Sequence, residues 1–356
     1  MKYAPLLLTA LLALPVAARA DAVRPAVGKP VQQAEALIQE QKYREALLKL
    51  QRAAAVPHLS PYESLVIAEV RGAADSGAGN YREAAADYQQ VLAAGDAPQA
   101  QQTQLIAAIA ALYYQAADFP STITWVNRYI TAQGQDPRTR ILLAQAYYQA
   151  GDFPHAEQAA EGDVQAAQIT GQAVPEAELQ LFVTSAQKSG DQPGYQAALR
   201  NLLLHYPSPQ YWATAIDGVV AARGFPDRLT LDVYRLRRAT GTLTAPGEYE
   251  DYAERAILAG RLAEARAVIA DGFASHVLNA QTDQGHATRL QTLLAKGQPD
   301  TAGAPQTGLD DAIASFEAGD SVAAIAAFNK IAGGGNAPDA TLAGLWAIRA
   351  ASPVSG

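Results

Sequence analysis

The sequence predicts an all-α solenoid of about seven to eight antiparallel helix pairs, and three observations carry that prediction. Hydrophobic residues make up 49% and charged residues 17% of the 356 positions, and Ala, Leu and Tyr rather than β-branched residues dominate the apolar set, which favours close-packed helices over sheets. A ten-residue segment, Ala111 to Pro120 (ALYYQAADFP), recurs 34 residues later as Gln145 to Pro154 (QAYYQAGDFP). Small residues also precede large ones by four positions at Ala46 and Leu50, Ala84 and Tyr88, Ala198 and Leu202, Ala265 and Ile269, and Ala324 and Phe328. On a helix such a pair shares one face, so a neighbouring helix can come close at the small residue while the large one fills the hole beside it.

The first twenty residues read as an export leader. Lys2 starts it, the run from Pro5 to Val16 (PLLLTALLALPV) is apolar, and Ala18-Arg19-Ala20 has the small-x-small form that a signal peptidase reads. Cleavage is expected after Ala20, and residues 21–30, rich in Pro and Gly, are expected to be disordered. That run is shorter than the roughly 20 residues a bilayer crossing needs, so no transmembrane segment is expected. Loss of Lys2 and Arg19, with no acid leaving beside them, would take the net charge from -8 to -10. A chain this acidic lacks the field for non-specific attraction to nucleic acid or anionic membrane. It has no cysteine, so in an oxidising compartment packing alone must hold it together.

Repeat starts continue upstream of the 34-residue recurrence. Lys42 to Ala46 (KYREA) and Asn80 to Ala84 (NYREA) set the aromatic that opens each second helix at Tyr43, Tyr81, Phe119 and Phe153, spaced 38, 38 and 34 residues apart. Gly79, Gly151, Gly190, Gly260 and Gly319 are expected to end first helices in the left-handed conformation that glycine adopts without a Cβ penalty. The resulting division is 31–168 for four clear pairs, 169–278 for degenerate ones, 279–308 for a helix (His286 to Lys296) and a Gly/Pro-rich loop, and 309–351 for a last pair with a capping helix.

These residues resemble the tetratricopeptide repeat family, whose pattern is W-x2-L-G-x2-Y, then A-x3-F and a terminal Pro. Leu143, Ala144, Tyr147, Gly151, Phe153 and Ala156 stand at its positions in the best pair, and Ile109, Ala110, Tyr113 and Phe119 in the pair before, where Thr122 and Val126 replace the usual Ala and aromatic. The resemblance covers about 31 to 350 and implies a right-handed superhelix whose concave face, lined by first helices, holds a protein or peptide ligand. Candidate groove residues are Tyr114, Gln115, Gln145, Tyr148 and Gln149, with Arg138 near the entrance, because they lie off the apolar stripe. Tyrosine offers area at little entropic cost and glutamine can pair with a peptide backbone. Aromatics at helical spacing are read first as packing, so the doublets Tyr113-Tyr114 and Tyr147-Tyr148 are expected to serve the core as well.

Other chemistry finds no support in the pattern. The five histidines (His58, His155, His205, His276 and His286) are scattered and lack helical zinc-site spacing. No nucleophile elbow, P-loop or paired cysteine motif exists, so neither catalysis nor a cofactor is expected. Gly77-Ala78-Gly79 reads as a repeat turn and Asp310-Asp311 as helix-start charge that matches the macrodipole. Arg235, Arg237 and Arg238, with Arg228 ahead of them, read as a solvated face or as partners of Asp227 and Asp232, with a carboxylate or phosphate ligand as the other reading. The start at Tyr211-Trp212 and the stretch Leu231 to Thr244 are similar to periplasmic tetratricopeptide proteins, some of which accompany energy-transduction systems of the outer membrane. The expectation is an exported, non-catalytic scaffold for protein partners in a bacterial periplasm, with secretion as the alternative location. The alternative is the helical part of a peptidoglycan-acting envelope enzyme.

Overall fold

A computed structural model describes residues 23–95, 98–278, 307–334 and 337–352, with 288, 289, 292, 294 and 295. The expected leader over 1–20 lies outside the described residues, as do most of 279–308. Seventeen α-helices and one 3-10 turn, with no strand, are found among the described residues, and successive helices pack as antiparallel pairs. The chain is an all-α solenoid that divides into two compact units, residues 1–192 and 193–356.

The first unit holds α1 (Pro25–Gln39), α2 (Tyr43–Ala54), α3 (Pro61–Ala78), α4 (Tyr81–Ala93), α5 (Gln99–Gln115), α6 (Phe119–Thr131), α7 (Pro137–Gln149), α8 (Phe153–Thr170) and α9 (Glu176–Ser189). Each recurring Asp-Phe-Pro is a helix start. Asp118 and Asp152 are N-caps whose carboxylates accept from the amides of Ser121 (3.2 Å) and His155 (3.4 Å), and the proline two positions on fits the first turn because its missing N–H has no bond to lose there. The glycines expected at helix ends all have positive φ: 85° at Gly79, 80° at Gly151 and 81° at Gly190 in this unit, and 71° at Gly260 and 83° at Gly319 in the other. Gln41 and Ala117 take the same conformation where glycine is missing. Both members of every small-to-large pair named above are buried.

One expectation fails at the N-terminus. Residues 25–30, expected to be disordered, form the start of α1. Pro25 pre-sets the first turn, Pro30 forfeits one amide donor, and burial of Val27, Val31 and Ala34 against α2 and α3 outweighs that loss.

The second unit holds α10 (Gln192–His205, whose first residue ends the unit before), α11 (Pro209–Val220), the 3-10 turn Asp227–Leu229, α12 (Thr230–Ala239), α13 (Pro246–Leu258), α14 (Leu262–Ala274), α15 (Asp310–Glu317), α16 (Ser321–Gly334) and α17 (Ala337–Ala351). The terminal helix differs from an end cap with one wet face. Leu342, Ala343, Trp346 and Ile348 are all buried, and α17 packs on α11 and α12 as well as on α16. Its sequence is apolar nearly all round, which requires burial on more than one side. Arg349 Nε donates to the Ala239 carbonyl (2.7 Å) and Arg228 pairs with Asp339, which ties both ends of α17 to the α11–α12 region.

Candidate functional site

In the first unit some odd-numbered helices touch one another as well as their even-numbered partners: α1 meets α3, α5 meets α7, and α7 meets α9. Helices α5, α7 and α9 form one layer, and the expected groove residues lie on it. Gln115 and Gln149 are the exposed last residues of α5 and α7, Gln145 is half-buried, and Arg138 is exposed in the first turn of α7.

The tyrosine doublets divide their work. In the first positions, Tyr113 accepts a hydrogen bond from Gln89 Nε2 (2.7 Å) and Tyr147 stacks on His155 with centroids 5.1 Å apart. In the second positions, Tyr114 meets Phe119 edge-on at 6.0 Å and Tyr148 meets Phe153 in the same way at 5.4 Å. Tyr114 and Tyr148 are half-buried, so each ring is fixed by its neighbour and still presents area outward. Packing and display coexist in one side chain.

Arg138 has a local role. Its guanidinium reaches back to the N-cap Asp136, with Nε to Oδ1 at 3.1 Å and Nη2 to Oδ2 at 3.0 Å. Burial raises the Asp136 carboxyl, but hydrogen bonds and charge from Arg138 outweigh it and hold the group below its ordinary value.

Lys188 belongs to this face and was missed. Its Nζ stands over the Phe153 ring at 4.8 Å and the Tyr148 ring at 5.5 Å, near enough for cation–π attraction. A signal existed. Lys188 precedes Gly190 by two residues, as Gln149 precedes Gly151 and Gln115 precedes Ala117. By the same register Glu35 of α1 corresponds to Gln145, and Glu69 of α3 to Ile141. Burial, then the charge of Glu35, pushes the Glu69 carboxyl up to about 7.

The clustered arginines of the second unit, Arg228, Arg235, Arg237 and Arg238, are paired within the chain. Arg235 is 4% exposed and donates to three carboxylates: Glu264 (two bonds of 2.8 Å), Asp232 (2.8 Å) and Asp310 (2.9 Å). Tyr252 donates to Glu264, Thr307 Oγ1 to Asp232, and Arg261 to Asp310. Asp310 therefore does more than match a helix dipole. Arg237 pairs with Asp217 and Glu248, Arg238 with Asp271 and Arg228 with Asp339. Intramolecular pairing is the observed role, although Asp227 pairs with Arg255 and not with the cluster.

His58, His155, His205 and His276 are exposed, and no group of three potential metal ligands occurs among the described residues. No helix among them is long and apolar enough to cross a membrane. No family model matches the chain and no curated protein matches it. Among solved structures, the C-terminal part of a TPR repeat-containing protein from Cytophaga hutchinsonii is 14% identical, with a TM-score of 0.38 over 76% of this chain and 96% of that one. BtubC from P. vanneervenii is 13% identical, with a TM-score of 0.34 over 79% of this chain and 97% of that one. The fold assignment rests on the helix pairs and capping motifs described above.

Proposed function

We propose that this chain is an exported, non-catalytic tetratricopeptide-type scaffold of a bacterial periplasm that holds a protein or peptide partner on the layer formed by α5, α7 and α9, within an envelope assembly or transport machine. The observation that carries the reading is the composition of that layer. Tyr114 and Tyr148 are rings fixed at one edge, Gln115, Gln145 and Gln149 offer amide donors and acceptors, and Lys188 adds a cation. Such a surface gives area with little entropy to lose and pairs with backbone amides without demanding one sequence. Placement outside the cytoplasm is supported by the leader-like first twenty residues, and the lack of cysteine is compatible with it.

Two measurements test it. Fractionation of the native host should recover a mature chain that begins near Asp21 in the soluble exported fraction, and an uncleaved cytoplasmic product would defeat the placement. Tyr148→Ala combined with Gln149→Ala should weaken partner binding far more than thermal stability, and equal losses in both would remove the groove assignment.

A further inference from the structure

Glu178 occupies the third position of α9, where a glutamate ordinarily turns back to accept from the N-cap amide. Two helices of this chain show that arrangement: Glu63 accepts from the amide of Ser60 (2.9 Å) at the start of α3, and Glu248 from that of Ala245 (3.1 Å) at the start of α13. The N-cap of α9 is Pro175. Proline has no amide N–H, so Glu178 has lost the partner that its position normally supplies. Its side chain turns inward instead and is 5% exposed.

Inside, it meets a pair already satisfied. Arg140 of α7 donates through Nε to Asp163 of α8 at 3.0 Å. The Glu178 carboxylate makes no hydrogen bond or ion pair with any described residue. Its charged neighbours are Asp163 and Arg140, with the exposed Glu176 on its own helix. The junction of α7, α8 and α9 thus holds a buried carboxyl, Glu178, and a half-buried one, Asp163, against one half-buried guanidinium. Both cannot ionise there cheaply, because a second buried negative charge would face Asp163 with no cation of its own.

We propose that the seating of α9 on α8 is proton-dependent, with Glu178 neutral in the packed junction and α9 loosened when that carboxyl ionises. The direction follows from linkage. Burial, then the charge of Asp163, raises the carboxyl from an ordinary 4.5 to about 7, against the opposing pull of Arg140. The packed state therefore keeps a proton that the unpacked state releases. Stability from this group is complete below the ordinary carboxylate range and is lost as pH rises through about 7.

The test uses the full chain and its Glu178→Gln variant, which keeps the shape and cannot ionise. Amide hydrogen exchange, corrected for intrinsic rates, is compared at pH 6 and pH 8. In the parent, protection of residues 176–189 should fall about tenfold between the two pH values, one pKa unit's worth, while α5 stays unchanged. In Glu178→Gln, α9 should be equally protected at both. The same pH dependence in parent and variant would overturn the proposal. Should the variant fail to fold, the side-chain carboxyl carbon of Glu178 in the parent, followed by NMR, decides the matter: a midpoint near 7 supports the proposal and one below 5 overturns it.

Discussion

The ring of Tyr43 occupies the space that a side chain on Gly77 would need, since a Cβ built there would come within 2.2 Å of the tyrosine Cε1. Helix α3 runs past the start of α2 at van der Waals distance only because residue 77 has no side chain. Gly77→Ala should displace the ring and cost about 1 to 3 kcal/mol, the usual range for overpacking. A double-mutant cycle with Tyr43→Ala checks the cause: once the ring is gone, Gly77→Ala should add little further loss in urea unfolding.

Ala144 and Ala156 face each other's helices within the α7–α8 pair, and both are completely buried. Leucine at either position should cost about 1 to 3 kcal/mol by forcing the pair apart. Unchanged melting of both variants would mean that the repeat register is misassigned.

Arg235→Ala would leave Asp232, Glu264 and Asp310 buried around a missing cation. Removal of one partner from a buried ionic network typically costs about 3 to 5 kcal/mol. Hydrogen exchange should show lost protection in α12, α14 and α15, with α5 to α8 retaining theirs.

Glu69 gives a second pH effect of known sign. Its carboxyl, raised to about 7 first by burial and then by Glu35, holds a proton in the folded chain that the unfolded chain releases nearer 4.5. Its contribution is lost as pH rises through that window. Glu69→Gln should therefore be more stable than the parent at pH 8 and indistinguishable at pH 4, read from urea midpoints at each pH.

What the sequence reveals of this fold is local. Asp118-Phe119-Pro120 and Asp152-Phe153-Pro154 announce helix starts because cap, aromatic and proline each act within one turn, and a left-handed glycine needs only its own backbone. The Arg235 network is opaque by contrast, because Glu264 and Asp310 lie 29 and 75 residues away and nothing in the intervening chain predicts which of many acids will arrive. Residues 25–30 are not legible as helix from the sequence because Pro30 signals a break locally, whereas the burial that overrides it comes from α2 and α3. On the candidate site, Tyr148 and Gln149 follow from the recurring segment Gln145 to Pro154, and counting back from Gly190 in the same way leads to Lys188. For Arg138 the sequence does not show that its guanidinium reaches back to Asp136.

The most direct test of the groove is position-specific photocrosslinking in cells of the native host. A photoreactive residue is placed at Gln149, at the exposed end of α7 in the α5–α7–α9 layer, or at Gln158, exposed on α8 of the same helix pair. If this layer holds the partner, Gln149 yields one discrete protein adduct that Tyr148→Ala diminishes, and Gln158 yields none. Equal adducts from both positions, or an adduct from Gln158 alone, would contradict it.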